Sequence, residues 1–208
     1  MLDPATSSGE TSPCLEPREE ILSLWRAFDP LSFESRSRAL RLGEIIPVVS
    51  GGPYRPDGEI AVVLEGCILL DDGKRGTHCG VAAAGDLIDI AGGSQGLWLS
   101  NGLVYRAPVA AFCREAGEEG VQFLLSGGVK RLRAMETRLR CAMSHGSISR
   151  VASFLLDIHR ATGGLEIALS QSNIGALLSL RRSSINQACQ SLRAAGALRT
   201  VRGRILLK

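Results

Sequence analysis

In "RRSSINQACQSLRAAG", Arg182, Ser183, Asn186, Gln187 and Gln190 fall at i, i+1, i+4, i+5 and i+8. At helical pitch this spacing gathers the five polar residues on one side, with Ile185, Cys189 and Leu192 on the other. The outer side has a specific chemistry. An Arg guanidinium is a fork of donors that matches the acceptors of guanine, and Asn or Gln offers the donor and acceptor pair that matches adenine. Arg182, Ser183, Asn186 and Gln187 are therefore candidate readers of base edges in the major groove of DNA. Arg181, Arg199, Arg202 and Arg204 flank them as candidate contacts to backbone phosphates. From Leu169 to Lys208 the chain has seven Lys or Arg and no acidic residue.

Local elements must hold these side chains in place. Ser170 is a good N-cap for a first helix with Ile174, Leu177 and Leu178 on one face. Leu180 then sits in a short turn, and a second helix runs from Arg182 to Ala194, ended by Gly196. "ALRTVRGRILLK" reads as two strands around an Arg202-Gly203-Arg204 tip. Two helices, a turn and a hairpin predict a winged helix-turn-helix over residues 146–208, introduced by a helix from Ser149 to Arg160.

Upstream, residues 109–143 read as one long helix with a weak point at Gly127-Gly128. Leu125, Leu132 and Leu139 recur every seven residues, with Gly128, Met135 and Ala142 between them. That is a two-seam heptad, and it makes Leu125, Leu132, Met135, Leu139 and Ala142 a candidate homodimer interface. The competing reading packs the same helix on its own neighbouring domain. Between Gly43 and Pro108 lie thirteen of the 24 glycines, among short apolar runs such as "EIAVVLEGCILL", the pattern of a compact β barrel or sandwich. Arg18 to Phe28 reads as a short helix, and residues 1–17 as a flexible tail.

The composition narrows the function. A net charge of +3 conceals a gradient of −5 over residues 1–35, +1 over 36–169 and +7 over 170–208. Such an end is suited to a polyanion, nucleic acid or anionic membrane. No apolar run has the roughly 18 residues of a membrane span, and the polar, Pro-bearing start has no apolar signal core, so a cytoplasmic location and no membrane partner are expected. The six cysteines form no CxxC pair, which argues for reduced thiols over a disulfide framework or a metal cluster. His78-Cys79 is the one pair with ligand chemistry, yet neighbours on a strand point to opposite faces. A cupin-type metal enzyme needs several His in the β region, which has His78 alone, and no nucleophile triad or phosphate loop appears. No cofactor and no enzymatic activity are expected.

The order of parts resembles the Crp/Fnr family of bacterial transcription regulators, most clearly in "LSQSNIGALLSLRRSSINQACQSLRAAGALRTVRGRILL". "VVLEG" at Val62–Gly66 and "AGD" at Ala84–Asp86 are similar to strand-turn signatures of that family's cyclic-nucleotide-type β roll. The resemblance implies an α+β chain: an N-terminal β roll of the cyclic-nucleotide-binding jelly-roll kind over 18–112, a dimerisation helix over 113–145, and the winged helix-turn-helix. It implies a small residue at Gly175, an Arg at Arg182, double-stranded DNA and a second copy as partners, and admits RNA polymerase. It also marks departures. Family members that bind cyclic nucleotides carry a Gly-Glu and then an Arg soon after the Gly-Asp, whereas Gly85-Asp86 is followed by "LIDIAGGSQGLWLSNG" with no Arg before Arg106. An anion buried without a paired Arg is costly, so control by cyclic nucleotide is not expected. The family's turn glycine is replaced by Ser179, and the cysteine cluster of iron–sulfur members is reduced to Cys14.

The expectation is a homodimeric, sequence-specific DNA-binding regulator acting on an inverted repeat. The alternative is a winged-helix module for protein contacts or for non-specific nucleic-acid binding.

Overall fold

The computed structural model describes residues 26–55, 58–71, 78–89, 95–201 and 203–208. The expected tail and most of the expected first helix, with Ile21, Leu22, Leu24 and Trp25, lie outside the described residues, as does Arg202. Phe28, from the end of that helix, is fully buried.

The first complete helix, α1 (Phe33–Leu42), is capped by the Ser32 hydroxyl, which accepts from the Ser35 amide. Among the described residues eight strands follow: β1 (Glu44–Val48), β2 (Pro53–Tyr54), β3 (Glu59–Glu65), β4 (Cys67–Asp71), β5 (His78–Ala83), β6 (Leu87–Asp89), β7 (Gln95–Trp98) and β8 (Gly102–Pro108). They form two antiparallel four-stranded sheets in the orders β1-β8-β3-β6 and β2-β7-β4-β5. Alternation sorts the side chains between two cores. Ala61 and Val63 of β3, Ile68 and Leu70 of β4, Ala82, Ile88, Trp98 and Val104 fill the space between the sheets. Ile60, Val62 and Leu64 face the other way, with Tyr105, into a helix-covered layer containing Phe28, Phe112 and Phe123. A strand sandwiched between two apolar layers has no solvent face, which is why "IAVVL" is continuously hydrophobic.

Helix α2 (Val109–Ser144) starts where the sequence places it, but its weak point lies elsewhere. Gly127-Gly128 is helical, and the break falls at Gly117, with φ 59° and ψ −142°, a conformation that glycine tolerates. Gly127 instead permits close approach to β6, because a Cβ there would lie 2.7 Å from Leu87 Cδ2. Helix α3 (Ser147–Thr162) follows the two-residue joint His145-Gly146 and ends at Gly163, in the left-handed region at φ 66°.

The last unit comprises α3, β9 (Glu166–Ile167), α4 (Gln171–Leu177), α5 (Arg182–Ala194), β10 (Leu198–Val201) and β11 (Arg204–Leu207). β10, β11 and β9 make one antiparallel sheet, of which β9 was not expected from the sequence. Its core of Val151, Phe154, Leu155, Ile158, Ile174 and Ile185 is continuous with Leu69 of β4. The unit is therefore docked on the outer face of the β4–β5 hairpin.

Candidate nucleic-acid interface

The candidate site is built from the turn outward. The Ser170 hydroxyl caps α4 by accepting from the Asn173 amide at 3.1 Å. The chain then reverses at Ser179, whose φ of 51° makes it the one non-glycine residue in the left-handed region among those described. The turn works with serine where a glycine was expected by resemblance, at the cost of some backbone strain. Gly175 lets the two helices meet, since a Cβ there would lie 3.2 Å from Ile185 Cγ2. Arg150 of α3 donates to the Leu178 carbonyl at 2.5 Å, satisfying an orphan acceptor at the end of α4 and fixing the turn from below. No sequence signal singles out Arg150, because an Arg on an amphipathic helix looks like ordinary solvent-facing charge.

Helix α5 runs from Arg182 to Ala194, the bounds expected from the sequence. Ile185, Ala188 and Cys189 are buried, and Leu192 packs beside them. Arg182, Ser183, Asn186, Gln187 and Gln190 are exposed. The helix ends in a Schellman arrangement: the Gly196 amide donates to Arg193 and the Ala197 amide to Leu192, with Gly196 at φ 75°. Burial pushes the Cys189 thiol above its ordinary range, and nearby Arg193 opposes this, so the thiol is a neutral packing group.

Arg181 and Arg199 are also exposed, at the start of α5 and on β10. Arg204 opens β11 beside the wing tip, where Gly203 has φ 82°. Its guanidinium is not idle: it pairs with Glu166 of β9. Glu166 escaped the sequence reading because β9 pairs with β11 through a contact some forty residues away in the chain.

The long helix has two working faces. With Leu125 at heptad position a, the buried Leu124, the tightly packed Gly127, and Lys130 and Arg131 take positions c, f and g and face the chain's own roll. Lys130 Nζ lies 2.5 Å from Asp86 Oδ1, and Arg131 donates to the Ile88 carbonyl at 2.5 Å. Asp86, from the "AGD" signature, also accepts from the Ala83 amide and so stiffens the β5–β6 turn. The a and d positions point away: Leu125, Leu132, Met135 and Leu139 are 64%, 57%, 42% and 62% exposed, and Ala142 is exposed. Val121, Val129 and Met143 extend this apolar stripe beyond the residues picked from the sequence. The two sequence readings of this helix are thus compatible, one for each face.

In the roll, Arg106 is half-buried on β8 and pairs with Glu59 across the sheet, so it is a structural partner rather than a loop group. Segment 90–94, part of the stretch that lacks the Gly-Glu and Arg of cyclic-nucleotide-binding members, lies outside the described residues, and so do the side chains of His78 and Cys79. Among the described residues no helix is long and apolar enough to cross a membrane.

Residues 149–208 match the family of Crp-like helix-turn-helix domains. No curated protein sequence gives a significant match. Solved structures show the same overall fold. FixK2 from Bradyrhizobium japonicum is 19% identical with a TM-score of 0.62, over 80% of this chain and 93% of that one. A Crp/Fnr transcriptional regulator from Thermus thermophilus is 14% identical with a TM-score of 0.65, over 79% and 93%. The c-di-GMP-responsive global regulator CLP of Xanthomonas campestris is 14% identical with a TM-score of 0.63, over 83% and 97%. The chain is an α+β protein that shares its fold with these structures: a jelly-roll domain, a long helix and, over residues 149–208, a Crp-like helix-turn-helix domain.

Proposed function

We propose that this protein is a transcription regulator that binds double-stranded DNA as a homodimer on an inverted-repeat site, without control by cyclic nucleotide. One observation carries the reading: α5 presents Arg182, Ser183, Asn186 and Gln187 to solvent from a rigid, Schellman-capped helix whose other face is buried. These four are the proposed base readers. Arg181, Arg199, Arg202 and Arg204 are the proposed phosphate contacts, and Leu125, Leu132, Met135, Leu139 and Ala142 the proposed dimer seam. The absence of acidic residues from Leu169 onward favours nucleic acid over a protein partner for this surface. Independence from cyclic nucleotide rests on the missing Gly-Glu and Arg, and is supported by the apolar side chains that fill the space between the sheets.

Binding selections over random duplexes, at several salt concentrations, test this function. The wild type should enrich an inverted repeat with half-sites about 34 Å apart. Arg182→Ala should cost about 1–3 kcal/mol on the best site and flatten one base position. Arg204→Ala should weaken all sequences alike and lower the salt slope by about one unit per lost contact. Cyclic AMP and cyclic GMP should leave the affinity unchanged. No enrichment of a palindrome, or identical profiles for the two variants, would reduce the basic surface to a non-specific polyanion binder.

A further inference from the structure

Between the roll, α2 and α3 lies a groove of about 490 Å³. It is on the outer face of the roll: its wall includes Val81 and Ala83 of β5, whereas Ala82 between them points into the filled space between the sheets. It is also on the far side of α2 from the proposed seam, since its residues Arg133, Ala134 and Thr137 occupy heptad positions b, c and f. A second copy docked along positions a and d leaves it open.

The charges in the groove are unbalanced. Arg133 and Arg138 enter from α2 and Arg160 from α3, against Asp86 and Asp157. Asp86 is already engaged by Lys130 and the Ala83 amide. Arg138 is committed to the wall, its guanidinium lying so near β5 that a Cβ on Gly80 would sit 3.0 Å from Arg138 Cζ. Among the described residues Arg133 and Arg160 form no ion pair, and Asp157, on the same helix as Arg160, pairs with neither. Arg133 of α2 and Arg160 of α3 thus line one groove, together with the apolar Val81, Ala83, Ala134 and Ala161.

We propose that this groove is a binding site for a small organic polyanion, a metabolite with two or more phosphate or carboxylate groups, one held by Arg133 and one by Arg160. The volume suits a metabolite-sized ligand, and Arg matches both anionic groups through paired hydrogen bonds. A ligand bridging the two would tie α3 to α2 and so fix the winged unit relative to the long helix. Occupancy then changes DNA affinity, and DNA changes anion affinity by the same factor. This coupling, though not the site itself, rests on the proposed DNA-binding function.

The test uses the full chain, with pyrophosphate and citrate as probes for the two anionic chemistries and sodium chloride at matched ionic strength as control. Calorimetry should show saturable binding of at least one probe, with a rise in melting temperature of roughly 5 °C at a hundredfold excess over Kd. Arg133→Ala with Arg160→Ala should weaken binding at least tenfold, and each single variant should weaken it in part. Asp157→Asn, which removes the opposing acid, should tighten binding by about threefold. Arg181→Ala with Arg199→Ala, on the proposed DNA surface, should leave anion binding unchanged. The site is overturned if neither probe binds saturably up to about 10 mM. It is also overturned if the Arg133 and Arg160 variants bind like wild type, or if the Arg181 and Arg199 pair abolishes binding. Saturation of the groove without any change in affinity for a selected palindrome overturns the coupling. Failure to select a palindrome at all, with anion binding intact, counts against the DNA-binding function and leaves the site standing.

Discussion

Gly127 of α2 and Leu87 of β6 are packed so closely that a Cβ at position 127 would sit 2.7 Å from Leu87 Cδ2 and 3.1 Å from Leu87 Cβ. With the Lys130–Asp86 pair one turn further on, this contact presses the long helix against its own roll. Gly127→Val should therefore force the helix and β6 apart and cost roughly 1–3 kcal/mol. Gly127→Ala should cost less, because alanine's better helix propensity recovers about 1 kcal/mol. Chemical denaturation of both variants beside wild type checks the order; a stabilised Gly127→Val protein would contradict it.

The outward face of the same helix carries the second prediction. Leu132→Glu combined with Leu139→Glu should give monomers, because a dimer would bury like charges along its seam. Both leucines are more than half exposed in the single chain, at 57% and 62%, so the fold of each chain should survive. Sedimentation velocity together with circular dichroism checks this. A folded, intact dimer of the double variant would exclude the seam.

Glu166 pairs with Arg204, and both side chains are exposed to solvent, at 50% and 62%. A phosphate bound by Arg204 would have to share it with this carboxylate. Glu166→Gln should raise DNA affinity by the worth of an exposed pair, about 0.2–1 kcal/mol, with no change in sequence preference. The gain should vanish in an Arg204→Ala background. A gain that persists there would show that Glu166 acts through general repulsion of DNA instead.

Cys67 of β4 is fully buried, and burial, with Asp86 contributing second, pushes its thiol from 9.0 up to about 12. The folded protein therefore keeps this proton at a pH where the unfolded chain loses it. The stabilisation is complete below about pH 9 and is lost between pH 9 and 12, by up to about 1.4 kcal/mol per pH unit. Burial raises Tyr105 as well, so it acts in the same direction. Urea melts at pH 7, 9 and 10 should show wild type losing stability above pH 9 with a steeper slope than Cys67→Ala. Equal slopes would rule out Cys67 as a source of alkaline instability.

Local signals made much of this protein legible in one dimension. The helix-turn-helix could be read because its determinants are near neighbours: the Ser170 cap, the apolar period of Ile174, Ile185 and Cys189, and Gly196 at the helix end all act within a few residues. Periodicity likewise exposed the stripe of Leu125, Leu132 and Leu139. What depends on distant partners could not be read. Gly127-Gly128 looked like a weakness because an isolated helix pays for glycine in backbone entropy, but against Leu87 the missing Cβ is what allows contact, and the actual break went to Gly117. β9 exists because β11 returns to pair with it, Glu166 meets Arg204 only across that pairing, and Arg150 finds the Leu178 carbonyl only when α3 and α4 are packed. The groove between Arg133 and Arg160 is likewise a product of docking α3 on the roll. Sequence determined which faces are apolar and which carry hydrogen-bonding or charged groups; tertiary structure decided which of those faces meet, because burial and ion pairing depend on distances through space that no local period encodes.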